Sequence, residues 1–420
     1  MLNVININDN ITLNYIPMQK LKTVTAGMYI HRELKKDEAS KNALLPHVLK
    51  RGCKLCRNSV EIAHYLENLY GAKFSAGIIK SGEDHILCFE TETISDKYAP
   101  DNENLTEKAV ELLLSVVFKP LDTFDDGVFE QERKNSITKI ESIINDKRVY
   151  ANYRCQEEMC KGEKFAIPRL GYAKDMAELT KEELYDYYKS IIISSPIDIY
   201  VCGDTDISAV EKQIRQFVDG FEFTKGTMPE STIIHKSTPV KNVVEKLDVT
   251  QGKLSIGFTT DIGADDDRYW GLVLANAIFG GGAQSKLFNN VREKLSLAYY
   301  AGSFIEKYKG IMMVNAGIEF KNFERAYGET MVQLDEMKKG NITDLEFESS
   351  KGFLINSLNS YYDDQKALIM FYIGEKVAGT NLEIEDCKEK IKNVTRSDVV
   401  SAMQSVKADT VYFLTGKEDE

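Results

Sequence analysis

The feature that most constrains this chain is that its second half repeats its first. The segment YGAKFSAGIIKSGEDHILCFETETI, starting at Tyr70, has the same hydrophobic rhythm as LSLAYYAGSFIEKYKGIMMVNAGIEF, starting at Leu295. Each reads as two strands joined by a turn, and each is followed by a helical pattern. Each half then opens a long helix on Phe-Glu, at Phe129-Glu130 and at Phe347-Glu348. The pairs Asn145-Asp146 and Asp363-Asp364 follow at one and the same distance. A repeat of about half the chain excludes a solenoid of short units and predicts two similar domains facing each other. Hairpin-linked strands mixed with helices point to an α+β fold, each domain a mainly antiparallel sheet packed with helices, rather than a doubly wound parallel sheet.

At 420 residues the chain is too long for a single core. The segment TKGTMPESTIIHKSTP, at 224–239, is rich in Thr, Ser, Pro and Gly and marks the joint. We therefore expect an N-terminal domain over 1–224, a linker over 225–239 and a C-terminal domain over 240–420. A formal net charge of −12 argues against nucleic acid or an anionic membrane as the main partner. The seven cysteines are an odd number without disulfide-framework spacing, which fits a reducing cytoplasm. The opening MLNVININ lacks the basic region and apolar run of a signal peptide, and no stretch is apolar for long enough to cross a bilayer.

Taken in order, the patterning predicts a strand at 24–30 and a helix at 40–51, capped by Ser40 and stopped by Gly52. A second helix at 58–69 would carry Val60, Ala63, Leu66 and Leu69 on one face. Strands follow at 73–80 and 85–93, then a helix at 105–118 and a long helix at 125–146. A strand at 197–202 and a helix reaching 218 close the first half. The second half opens with a strand at 253–260 and a helix at 266–279. The acidic run Asp265 to Asp267 reads as that helix's N-terminus, where carboxylates satisfy the dipole.

The stretch FGGGAQSKLFNNVREKLSLAYY, at 279–300, then joins a helix at 285–294 to a strand. Glycines before a helix can cradle a phosphate, but these three are contiguous and match no G-x-G-x-x-G or Gly-Lys-Ser/Thr spacing. They are expected to supply the positive φ that ends the preceding helix.

Several of these runs occur together in one family. They are the helix ahead of Gly52, the Gly-Ala-Lys-Phe-Ser-Ala strand, the Phe-Glu-Gln-Glu-Arg-Lys helix start, and above all the Gly-Gly-Gly…Ser-Lys-Leu-Phe…Val-Arg-Glu-Lys…Leu-Ala-Tyr run. Over nearly its whole length the chain resembles the pitrilysin/insulinase family of zinc peptidases. More closely it resembles the short two-domain subunits related to the mitochondrial processing peptidase. Active members carry H-x-x-E-H on the first of those helices, two zinc-binding histidines with a general-base glutamate between them.

Alignment on Gly52 puts Ala43 at the first histidine, Pro46 at the base and His47 at the second histidine. The family's further ligand, a glutamate seven residues after Glu132, falls at Lys139; Glu141, two residues on, points to another side of the helix. One imidazole cannot hold a catalytic zinc, which takes about three protein ligands and an open position. Pro46 also removes a helical backbone donor, at a cost of about 3 kcal/mol unless the helix kinks. The resemblance therefore implies no zinc in this chain and no hydrolysis by it alone. A different set, His47, Cys53, Cys56 and His64, has zinc-compatible side chains but matches no finger spacing.

The resemblance also implies that the second domain holds the substrate backbone through an arginine and a tyrosine, which fall at Arg292 and Tyr299. A guanidinium donates to carbonyls without losing its charge, and a phenol can donate to a polarised carbonyl oxygen. The plainer alternative makes Arg292 a solvated helix residue and Tyr299 a packed strand aromatic. The strand at 73–80 would be either an ordinary sheet edge or an edge to which substrate adds. The resulting expectation is a non-catalytic, cytoplasmic subunit of a heterodimeric zinc peptidase, with peptide as substrate and the zinc in a homologous partner subunit. The alternative is a peptide-binding or scaffold protein with no peptidase partner. No nucleophile–base pair supports an unrelated hydrolase.

Overall fold

The computed structural model describes residues 2–100, 103–234 and 239–417. The first half runs β1 (Asn3–Asn6), β2 (Ile11–Pro17), β3 (Thr23–Glu33), α1 (Lys36–Leu49), α2 (Ser59–Asn68), β4 (Lys73–Ser81), β5 (Asp84–Ile94), α3 (Leu105–Phe118), α4 (Asp126–Glu141), α5 (Lys147–Met159), α6 (Ala173–Glu178), α7 (Lys181–Ser194), β6 (Ile197–Gly203) and α8 (Ile207–Val218). The second half runs β7 (Lys241–Leu247), β8 (Gly252–Thr259), α9 (Tyr269–Asn276), β9 (Ala298–Glu306), β10 (Ile311–Ile318), α10 (Phe323–Lys339), α11 (Asp344–Ser360), α12 (Gln365–Ala378), α13 (Ile384–Asn393), α14 (Arg396–Gln404) and β11 (Lys407–Gly416).

The strands form a six-stranded sheet, β1-β2-β6-β3-β5-β4, and a five-stranded sheet, β7-β11-β8-β10-β9. Without β1 the two orders are the same, β2 to β6 corresponding in turn to β7 to β11. Each sheet has one parallel pair, β2 with β6 and β7 with β11, and is otherwise antiparallel. The repeat is thus a repeat of topology, and the α+β expectation holds.

Contacts divide the chain into two units, one of residues 1–141, 167–230 and 362–377, the other of residues 142–166, 231–361 and 378–420. Neither is a contiguous stretch. The helix α5 belongs to the second unit, and α12 joins the first. Residues 225–234 of the expected linker carry no helix or strand, and 235–238 lie outside the described residues.

The long helix expected over 125–146 is two helices. α4 stops at Glu141, a 3-10 turn spans Ser142–Asn145, and α5 begins afresh. Asp146 caps it, its carboxylate accepting from the backbone amides of Arg148 and Val149. The repeat does the same: α11 passes through a 3-10 turn, Tyr361–Asp363, and Asp364 accepts from the amides of Lys366 and Ala367. A side chain that satisfies the free amides of a first turn specifies where a helix starts. The aspartates noted at equal distances in both halves are these caps.

In the second unit, Ala151, Cys155 and Met159 of α5 pack on Ile311, Met313, Tyr412 and Leu414. Their neighbours Met312, Val314, Val411 and Phe413 join the core on the other face. This is the period-two alternation of a sheet covered on both sides. In the first unit α12 binds through polar groups instead. The Gln365 amide donates to the Thr23 carbonyl (2.7 Å) and accepts from the Thr25 hydroxyl (2.8 Å), and Lys376 pairs with Asp198 (2.5 Å).

Two smaller expectations change. α1 begins at Lys36, so Ser40 lies inside it and its hydroxyl accepts from the Tyr172 amide at 3.0 Å. α2 is capped by Asn58, yet it buries Ile62 and leaves Val60 exposed.

Candidate functional site

In the first unit, α1 carries Ala43, Pro46 and His47, and α4 carries Glu132 and Lys139. α1 is helical through Pro46, whose carbonyl still accepts from the Lys50 amide at 3.2 Å. Ala43 and Pro46 are buried, and His47 is half-buried in the last turn. Burial, then Lys50 and Lys139, and after them Arg51, drive the His47 pKa down to about 4, with Glu132 the opposing charge. His47 is therefore a neutral imidazole among three cations at neutral pH.

Glu132 is buried and engaged by Arg51, whose Nε donates to Oε1 at 2.7 Å. Glu141 is exposed at the end of α4. A dication needs converging neutral or anionic donors. Here one imidazole is set among cations and the nearest carboxylate is already paired, so the residues present do not fit zinc.

Cys53 and Cys56 face each other across a tight turn, the Cys53 amide donating to the Cys56 carbonyl at 2.7 Å. Burial, and then the neighbouring Cys53, push the Cys56 thiol up to about 11, which keeps it protonated and a poor ligand. His64 is exposed and pairs with Glu67 at 3.2 Å. Among the described residues no group of three or more His, Cys, Asp and Glu side chains converges as a metal site. β4 ends its sheet, as an edge strand must.

In the second unit Gly280 and Gly281 end a π-helical segment, Ala277–Gly281, Gly282 follows it, and a second π-helical segment spans Leu287–Lys294. Such segments are rare, and functional sites are where they are frequently found. None of the three glycines has a positive φ, and Gly282 is extended at φ −150°. Their expected role as a positive-φ helix stop is therefore corrected. At Gly280 the reason is close approach: a Cβ there would lie 2.5 Å from Ser303 Oγ and 2.6 Å from its backbone nitrogen.

Arg292 stands on the second π-helix with its guanidinium 4.6 Å from the Phe288 ring centroid, beside Glu293 at 3.5 Å. The chain turns at Ser296, a non-glycine residue at φ +50°, and enters β9. Tyr299 is 61% exposed, while Tyr300, one residue on, turns to the opposite face and is partly covered. Arg292, stacked on Phe288, and the exposed Tyr299 are each accessible as hydrogen-bond donors.

Sequence reasoning missed the polar network that fixes α1. Buried Asn42 donates to His85 Nδ1 (3.2 Å), and His85 Nε2 donates to the Arg169 carbonyl (2.8 Å). The Tyr187 hydroxyl lies within reach of both Asn42 Oδ1 (2.7 Å) and Glu38 (2.8 Å). Burial lowers the His85 pKa to about 4, so the ring is neutral. It also missed buried His31, held between Asp84 and Asp198. The available signal was a histidine at an inward position of each of two apolar strands.

Comparison with known proteins agrees with this geometry. Residues 178–354 match the family model described as the peptidase M16 inactive domain. A Bacillus subtilis protein named probable inactive metalloprotease YmfF is 38% identical over 411 residues, 97% of this chain and 96% of that protein. The crystal structure of a conserved protein from Enterococcus faecalis is 29% identical with a TM-score of 0.89, covering 100% of this chain and 99% of that one. A structure titled as a peptidase M16 inactive domain from Pseudomonas fluorescens, at 18% identity and a TM-score of 0.79, covers 100% of this chain and 99% of its own and shares the fold. The chain belongs to the M16, or pitrilysin/insulinase, family of metallopeptidases, as a degenerate member.

Proposed function

We propose that this chain is the non-catalytic subunit of a heterodimeric zinc peptidase. A partner of the same family would carry H-x-x-E-H and the zinc, and this chain would complete the partner's site with Arg292 and Tyr299. The substrate would be a peptide or short unfolded segment, its backbone carbonyls taking hydrogen bonds from the guanidinium and the phenol.

One contrast carries the reading. The zinc position is filled by cations around a neutral His47, while Arg292 and Tyr299 keep their spacing and stay accessible. The odd number of cysteines, seven, supports a reducing, cytoplasmic setting. No helix among the described residues is long and apolar enough to cross a membrane.

The test is reconstitution. The chain alone should leave peptides intact, and mixing it with a family member bearing H-x-x-E-H should produce cleavage. Arg292→Ala should then lower kcat/KM about a hundredfold, as loss of one transition-state donor does. A rate unchanged by that substitution would refute the assigned role.

A further inference from the structure

The position at which the resemblance puts the family's metal has done more than lose ligands: its charge is reversed. Where the family has two imidazoles and two carboxylates, this chain has Ala43, Pro46, His47 and Lys139. Lys50 and Arg51 follow in the turn that ends α1, the Lys50 amide donating to the Pro46 carbonyl (3.2 Å) and the Arg51 amide to the Val48 carbonyl (3.1 Å). On α4, Glu132 and Lys139 stand seven residues apart, two turns, and so on one face. The two sets meet. Arg51 Nε donates to Glu132 at 2.7 Å. Lys50 and Lys139 both act on His47, and Lys139 acts on Lys50. All of these residues belong to the first unit.

The cluster is out of balance. The acid facing both His47 and Lys50 is Glu132, which is buried and already held by Arg51. Among the described residues Lys50 has no ion-pair partner. Burial, and then Arg51, lower its pKa, with Glu132 opposing and Lys139 adding to the effect. A cation kept partly out of water among like charges is held at a cost that an anion set between them would return.

Cations suit the last turns of α1 and α4, but each dipole would be served as well by a cation on the solvated side. Their convergence needs another reason. A generally basic surface is not that reason, since the chain carries a net charge of −12. The cluster can also be reached, for Lys139 is exposed and His47, Lys50 and Arg51 are each partly so. His47 adds a donor of a different kind. Its ring is neutral at pH 7, so one nitrogen carries a proton to give in a hydrogen bond.

We propose that this position binds a carboxylate, the side chain of an aspartate or glutamate in a peptide, held by Lys50 and Lys139 with His47 donating a ring N–H. The assignment rests on the peptide-holding role proposed above and names its substrate class, acidic peptides. Such hydrogen bonds are charge-assisted and roughly twice as strong as neutral ones.

The experiment compares two short peptides with blocked ends and the same fluorescent label, identical but for one central Glu or Gln, by anisotropy on the full chain. The Glu peptide should bind about tenfold more tightly than the Gln peptide. Lys50→Gln, and independently Lys139→Gln, should bring the Glu peptide down towards the Gln peptide. Unchanged binding of the Gln peptide shows that each variant is folded. Lys134→Gln, an exposed lysine on another side of α4, should leave the ratio as it was. Arg292→Ala should weaken both peptides by one factor and also preserve the ratio. Equal binding of the two peptides, a ratio indifferent to Lys50→Gln and Lys139→Gln, or a ratio lost with Lys134→Gln would each overturn the carboxylate site and leave the peptide-holding role standing. Binding of neither peptide would overturn it too, with the reconstitution above left to judge Arg292 on its own.

Discussion

Raising the pH should loosen the first unit, and His31 is the reason. His31 lies on β3 with Nδ1 2.6 Å from Asp84 on β5 and Nε2 3.1 Å from Asp198 on β6. Asp198 in turn holds Lys376 of α12. Burial alone would lower the imidazole pKa, but the two carboxylates overcome it and hold it up at about 9, against an ordinary value of 6.5. The unfolded chain releases this proton near the ordinary value, and the folded chain keeps it until the higher one. The stabilisation is therefore complete below 6.5 and is lost as the pH rises through about 9. At 1.4 kcal/mol per pH unit, two units of that window remove about 3 kcal/mol. Urea unfolding at about pH 6 and about pH 8.5 reads this as a fall in the midpoint. His31→Gln will be less stable throughout, and its midpoint should be flatter with pH. The buried thiols remain in both proteins, so their ionisation cancels in the comparison. If wild type and variant lose stability in parallel over this window, the reasoning fails.

Three further outcomes follow from the geometry. Asp364→Ala removes the cap of α12 and should cost about 1 kcal/mol, read as a lower unfolding midpoint; an unchanged midpoint would contradict the capping role. Gly280→Ala forces a methyl against Ser303 and should destabilise by about 1–3 kcal/mol in the same assay, whereas a neutral result would mean that β9 can move away. Elemental analysis of the purified chain should find far less than one zinc per molecule, and Ala43→His, Pro46→Glu and Lys139→Glu together should raise uptake towards one; stoichiometric zinc on the unaltered chain would contradict the reading of His47.

The sheet architecture was legible because strand pairing writes itself into local alternation. The hairpins β4–β5 and β9–β10 came directly from the two matched segments. The expected loss of zinc ligands rests on residue type alone, at Ala43, Pro46 and Lys139. The break between α4 and α5 was not legible, because both sides of it are helix-forming and only the Asp146 cap marks the boundary. The role of the glycines was misread for a related reason. A glycine needed for close approach and one needed for positive φ look the same in a sequence, and only Ser303 behind Gly280 tells them apart. The placement of α5 was also hidden, because nothing local indicates that it packs on β8 and β11, about a hundred and more than two hundred residues away.

The caps at Asp146 and Asp364 also bear on how the chain is made. Each restarts a helix whose home is the sheet built mostly by the other half of the sequence. A fragment cut at the linker would hold α5 without the sheet that covers it, and its own sheet would lack Gln365 and Lys376. During synthesis the first unit cannot be completed until residue 377 has left the ribosome, long after its strands are available. The two halves are therefore obliged to mature together, although each repeats the other and resembles a domain that folds alone.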